Sequence, residues 1–94
     1  MILDAEQLNQ ITELAKLFYT PTEVCTIQEL DPKYFEAHMA NPHSEIYKAY
    51  WKGWYLAEVE FRKEVKRIAM LGSSPAQTLV GNIIAEAKMK MLDS

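Results

Sequence analysis

The chain has little of what proteins stabilised by disulfides, bound to metals or embedded in membranes are built from. Its 94 residues include one cysteine, Cys25, which cannot form an internal disulfide and cannot supply a zinc site alone. The longest apolar runs are a few residues, far short of the ~20 that span a bilayer. The first residues include acids where a secretory signal carries bases. We therefore expect a globular protein in the cytoplasm, with no membrane partner.

Signatures of catalysis are also missing from the sequence. There is no glycine-rich phosphate loop, no nucleophile elbow and no Cys and His pair at a spacing that suggests a dyad. Neighbouring carboxylates such as Glu58 and Glu60 fall on a helix where nothing is expected to bury them. His38 and His43 lie five residues apart without a cysteine nearby, which disfavours metal ligation. We predict no enzymatic activity, no catalytic residue, no metal site and no cofactor.

Charge is distributed unevenly along the chain. Hydrophobic residues make up 49% and charged residues 24%, as in an ordinary globular protein, and the formal net charge is -3. Residues 1–44 contain seven acids and two bases, whereas residues 45–94 contain six acids and eight bases. Because a uniform basic surface is missing, any anionic partner must be bound by a local patch.

Start and stop signals divide the chain into five helices, and no segment alternates long enough to predict a strand. Asp4 with Gln7, and Thr20 with Glu23, form capping boxes. The predicted helices cover residues 5–18, a short second segment from 21, a third from 32 to about 40, 45–71 and 75–91. The fold class is therefore all-α, with an N-terminal helix-turn-helix-like region (1–43) and a long-helix antiparallel hairpin for oligomerisation (44–94).

Residues 23–38 resemble a helix-turn-helix. Cys25 takes the small position where the two helices cross, and apolar side chains lock their angle. Glu29 lies at the turn, where the motif often has glycine. A short helix pair in an ordinary bundle is the alternative interpretation. The apolar positions are Val24, Ile27, Leu30 and Phe35.

In a helix-turn-helix the second helix of the motif enters the major groove and offers side chains to base edges. Here Lys33, Tyr34, Ala37 and His38 are predicted to face outward and to contact DNA. Glu36 would repel phosphate. The same set of side chains is equally suited to a surface that binds protein.

The long fourth helix is apolar on two faces, which is more than a small monomer needs. Large exposed apolar surfaces usually mark partner surfaces, so self-association through the fourth and fifth helices is predicted. The alternative is that helices one to three fold back and cover both faces. The predicted interface consists of Ile46, Tyr50, Trp51, Trp54, Ala57, Phe61, Leu79 and Ile83.

A third face of the same helix carries the one basic stripe in the sequence. It either contacts a nucleic-acid backbone, adding salt-dependent affinity without sequence preference, or is simply a solvated helix face. The stripe consists of Lys48, Lys52, Arg62, Lys63 and Lys66.

The order of these parts resembles the small terminase subunits of tailed bacteriophages. The resemblance covers Glu23 to about Ile84, with the short motif Arg62-Lys63 leading to Leu71-Gly72-Ser73-Ser74-Pro75-Ala76-Gln77.

The resemblance implies a viral DNA-packaging subunit that binds double-stranded DNA, assembles into a homo-oligomer such as a ring, and engages a large ATPase and nuclease subunit. It also implies that Lys33, Tyr34 and His38 lie on the recognition helix, and it assigns to the assembly hairpin Tyr47, Trp51, Trp54, Phe61 and Val65. The alternatives are a helical adaptor or assembly factor that does not bind DNA, and a small helix-turn-helix transcription regulator.

Overall fold

The computed structural model describes residues 3–92, which form five α-helices and no strand. They are α1 (Ala5–Ala15), α2 (Pro21–Ile27), α3 (Pro32–Met39), α4 (Glu45–Met70) and α5 (Ser74–Leu92). The long α4 and α5 pack antiparallel, and the three N-terminal helices are short. The all-α architecture of five helices with a long hairpin is therefore confirmed.

Local capping sets the starts of the first two helices. In α1 the Gln7 backbone N–H donates to the Asp4 carboxylate at 2.8 Å, and the Asp4 N–H donates to the Gln7 side chain at 3.0 Å. Thr20 and Glu23 make the same reciprocal pair at α2, with Pro21 in its first turn. These bonds satisfy backbone donors that a helix N-terminus leaves unpaired.

The first helix is shorter than the sequence pattern predicts. It ends at Ala15 rather than at residue 18, because Phe18 takes a left-handed backbone conformation, with φ of 66°. The Phe18 ring packs edge-on against Trp54, with ring centroids 4.9 Å apart. Periodicity alone predicts a helix through any apolar residue at the right spacing. Here Phe18 leaves the helical conformation and packs against Trp54 instead.

The chain divides into two compact units, one up to Glu58 and one from Val59. The predicted boundary between residues 43 and 44 stays a prediction.

In the first unit α1 and α4 cross so closely that the Thr12 hydroxyl donates to the Ala49 carbonyl at 2.9 Å. Gly53 permits this crossing. The core of the unit consists of Leu3, Ile11, Ala15, Val24, Cys25, Phe35, Ile46 and Tyr50.

The second unit contains the last part of α4, a tight turn and α5. Gly72 has φ of 101°, and the Ser73 N–H donates to the Ile68 carbonyl at 3.3 Å, which closes the helix end as a Schellman motif. The Gln77 side-chain amide donates to the Ala69 carbonyl across the turn. The buried hydrophobic residues of this unit are Val65 and Ala76. Most of the apolar surface of the hairpin is therefore left partly or fully exposed.

Candidate DNA-contacting and assembly surfaces

The turn between α2 and α3 has a left-handed residue where the resemblance to a helix-turn-helix leads us to expect glycine. Glu29 has φ of 54°, which is the left-handed conformation that glycine adopts most easily. The Leu30 N–H donates to the Cys25 carbonyl at 3.0 Å and the Glu29 N–H to the Thr26 carbonyl at 3.2 Å. These two bonds form a Schellman end for α2. Glu29 therefore replaces the expected glycine without changing the turn.

A buried cysteine packs beneath this turn. Cys25 is buried, and its thiol lies 3.3 Å from the Leu30 carbonyl. Burial, with a smaller effect from the Asp31 charge, raises the pKa of the Cys25 thiol. Phe35 is also buried. Ile27, predicted to help lock the helices, is instead exposed, because it lies on the outer side of the last turn of α2.

Two of the four α3 residues predicted to face DNA do face outward. Lys33 and Ala37 are exposed, but Tyr34 and His38 are half-buried, so their predicted outward orientation is wrong. Tyr34 packs against the core and stacks on His38, with ring centroids 4.4 Å apart. The Nδ1 atom of His38 lies 2.7 Å from the Ser44 hydroxyl, which also accepts from the Ile46 N–H at the start of α4. His38 thus supports the start of α4.

The electrostatics of the exposed α3 surface are mixed. The Asp31 carboxylate accepts from the Tyr34 N–H at 3.1 Å and caps the helix. This places a negative charge at the helix end where an anion would otherwise be favoured. Glu36 is exposed on the same helix as Lys33. A DNA-reading role for α3 would therefore depend on Lys33 and Ala37.

The basic residues of α4 are mostly available to solvent. Lys48 and Lys52 are exposed and line a shallow groove of about 340 Å³ between α1 and α4. In the second unit Lys63 and Lys66 are exposed and Arg62 is half-buried. These side chains can supply charge to a phosphate backbone, and nothing in their geometry selects a base sequence.

Three residues of the predicted oligomer interface are covered by the chain itself. Ile46 and Tyr50 are each 2% exposed in the core of the first unit, and Ala57 is buried as well. The Tyr50 hydroxyl donates to the Tyr19 carbonyl at 2.7 Å, and burial raises the Tyr50 pKa. Ile46 and Tyr50 thus pack in a core to which the short N-terminal helices contribute, on the strip predicted to meet a partner. We correct the interface by removing these three residues.

Trp51 and Trp54 are half-buried against the same core. Their rings lie 6.2 Å apart, and Trp51 also packs edge-on against Tyr50 at 5.3 Å. They support the α4 side of the first unit and keep part of their surface in solvent. The structure therefore gives them a packing role, and any part in assembly stays a prediction.

The hairpin carries the remaining predicted interface residues. Phe61 is 54% exposed and Leu79 is 45% exposed, and Ile83 is half-buried. Val65 and Ala76 mark the sides on which α4 and α5 face each other. Because the two helices pack antiparallel, helical periodicity places Phe61, Leu79 and Ile83 on one side of the hairpin. Ile68 lies on the same side. We call these four residues, Phe61, Ile68, Leu79 and Ile83, the apolar hairpin face.

Among residues 3–92 no cluster of three or more His, Cys, Asp or Glu side chains is arranged to bind a metal ion. Nor does any helix in that range have the length and apolar character needed to cross a membrane. Comparison with known proteins finds no matching family model, no matching curated protein and no matching solved structure.

Proposed function

We propose that the protein is a homo-oligomeric DNA-binding subunit of the small-terminase type. In this proposal the α2–turn–α3 pair and the lysines of α4 contact duplex DNA, and the apolar hairpin face joins copies. Engagement of a large ATPase and nuclease subunit belongs to the same proposal. The single observation that supports it best is the exposed apolar surface of the hairpin, in a chain whose α2 and α3 are joined by a left-handed turn.

Assembly is supported by how little apolar surface the hairpin buries by itself. Two helices with two buried hydrophobic residues between them lack the core that an isolated hairpin needs. Residues 74–85 contain no charged side chain, so the first half of α5 is uncharged all round. A helix of this character is usually buried on more than one side. A second copy placed on the apolar hairpin face would cover it.

The assembly proposal has a matched test on one helix. Phe61 and Val59 have similar exposure, 54% and 47%, but periodicity places them on opposite sides of α4. Phe61→Asp should lower the molar mass in solution at a given concentration, because it places a charge in the interface. Val59→Asp, the control, should leave the mass unchanged. Equal masses for both variants and the unaltered protein would place the interface elsewhere.

DNA contact is tested by the salt dependence of binding to a duplex of random sequence. Each phosphate neutralised adds a steep and sequence-independent dependence on salt. Lys63→Glu with Lys66→Glu should weaken binding to all duplexes alike and reduce the slope of log K against log salt by about two. Lys16→Glu, a charge change at the C-terminal cap of α1, is the control and should have little effect. A slope that the double variant leaves unchanged would assign these lysines to solvent.

A second candidate function, a helical adaptor that binds protein rather than DNA, is favoured by the α3 surface. Asp31 and Glu36 carry negative charge there, Lys33 is its one cation, and Tyr34 and His38 turn inward. If no DNA binding occurs at low salt while the protein still assembles, the adaptor replaces the DNA-binding subunit.

A further inference from the structure

The groove between α2 and α3 has an unusual lining for a surface expected to meet DNA. It has a volume of about 360 Å³, within the range of ligand-sized clefts. Cys25 and Phe35 form its buried floor. Apolar side chains and two hydroxyls line its walls: Pro21, Pro32, Met39, Thr22 and Thr26. The charged residue that lines it is Glu36. An apolar groove with an acidic wall suits a helix that carries apolar side chains and a cation.

The end of α5 presents a helix face of that description. Residues 85, 88, 89 and 92 follow the i, i+3, i+4, i+7 spacing by which a helix binds in a groove. They are Ala85, Lys88, Met89 and Leu92, and all four are exposed, with Met89 at 64% and Leu92 at 82%. Periodicity places this face on the side of α5 opposite to Ala76, away from α4. It carries one cation and no acid.

We propose that the α2–α3 groove of one copy receives this outer face of α5 from a second copy, with Lys88 beside Glu36 and with Met89 and Leu92 over Cys25 and Phe35. The first unit contains nine acids and four bases, which adds long-range attraction for the cationic helix end. Met89 and Leu92 are exposed, so both side chains are available to supply the apolar part of this contact. Methionine adapts its shape to irregular grooves.

Such a contact joins two different surfaces, so it repeats from copy to copy and closes a ring or extends a filament. It rests on the proposed self-assembly and adds a second, separate contact to the apolar hairpin face. The two contacts can be distinguished because they use different residues: Phe61 and Leu79 in one, Glu36 and Lys88 in the other.

Charge reversal provides the test, with assembly measured by sedimentation over a range of concentrations. Glu36→Lys and Lys88→Glu should each weaken association about fivefold or more, because each places like charges together. The double variant, with both changes in one chain, should return to within about twofold of the unaltered protein. Lys90→Glu, the same charge change two residues away on another face of α5, should change association less than Lys88→Glu. A double variant as weak as the single variants would overturn the proposal.

The apolar part of the contact needs a second variant. Met89→Ser with Leu92→Ser should weaken association about tenfold or more while the helix content by circular dichroism holds, since both side chains are exposed in the single chain. If this variant and Lys88→Glu assemble normally while Phe61→Asp does not, the groove contact is wrong and the proposed assembly through the hairpin stands. If the groove binds a different protein, combining Glu36→Lys with Lys88→Glu will not restore the association between copies. That result would also overturn the proposal.

Discussion

Gly53 allows the backbones of α1 and α4 to touch, so adding one methyl group there should destabilise the first unit. A Cβ atom at this position would lie 2.2 Å from the Thr12 carbonyl oxygen and 2.9 Å from the Ala15 Cβ. Both neighbours belong to a helix that cannot rotate aside like a side chain. The Gly53→Ala variant must therefore push α1 away from α4.

The size of the effect follows from three contributions. Forcing extra volume into a packed contact costs about 1–3 kcal/mol. Moving α1 also breaks the 2.9 Å hydrogen bond from Thr12 to the Ala49 carbonyl, worth about 1 kcal/mol. Alanine gains about 1 kcal/mol over glycine as a helix former. We expect a net loss of about 2 kcal/mol in the free energy of unfolding.

The same substitution elsewhere in the chain supplies the control. Gly81 lies within α5, and a Cβ there would meet nothing within 4 Å. Gly81→Ala should stabilise the protein by about 1 kcal/mol through helix propensity alone. Urea unfolding followed by circular dichroism, at one protein concentration, measures both variants. A Gly53→Ala protein as stable as the unaltered one would refute the close crossing of α1 and α4.

Three further predictions concern the first unit. Glu29→Gly should raise the free energy of unfolding by about 1 kcal/mol, because glycine adopts φ of 54° without strain; an unchanged urea midpoint would contradict this. Tyr50→Phe should lower it by about 1–2 kcal/mol in the same assay, because the Tyr19 carbonyl loses its buried donor. The pKa of the Glu23 carboxyl is lowered mainly by the hydrogen bond from the Thr20 backbone N–H and to a smaller extent by the Thr20 hydroxyl. The Glu23 carboxylate therefore stabilises the fold above its unfolded-state pKa, and this stabilisation is lost as the pH falls through its folded-state pKa. Glu23→Gln, which keeps an acceptor, should remove that part of the acid dependence of the melting temperature, and an unchanged pH profile would exclude it.

What the sequence predicts well is local. The capping pairs of Asp4 with Gln7 and of Thr20 with Glu23 lie within one turn of chain, and both form as expected. The turn at Gly72 that ends α4 is also a local feature, because a left-handed glycine needs no contact with a distant part of the chain. These signals fix the number and order of the helices.

The sequence does not predict which faces of the helices pack against one another. The periodicity of α4 shows two apolar faces, but it does not reveal that the short helices would bury the one with Ile46 and Tyr50. It also gives no sign that Tyr34 and His38 would turn inward, since their orientation depends on the Ser44 hydroxyl and the core beneath. Tertiary packing decides both.

The molar mass of the unaltered protein in solution is the decisive test of self-assembly. Light scattering on the fractionated protein should give a multiple of the 10.8 kDa chain mass that falls on dilution and in the Phe61→Asp variant. A mass of 10.8 kDa at all concentrations would rule out self-assembly, because the exposed apolar hairpin face would then have no second copy to cover it.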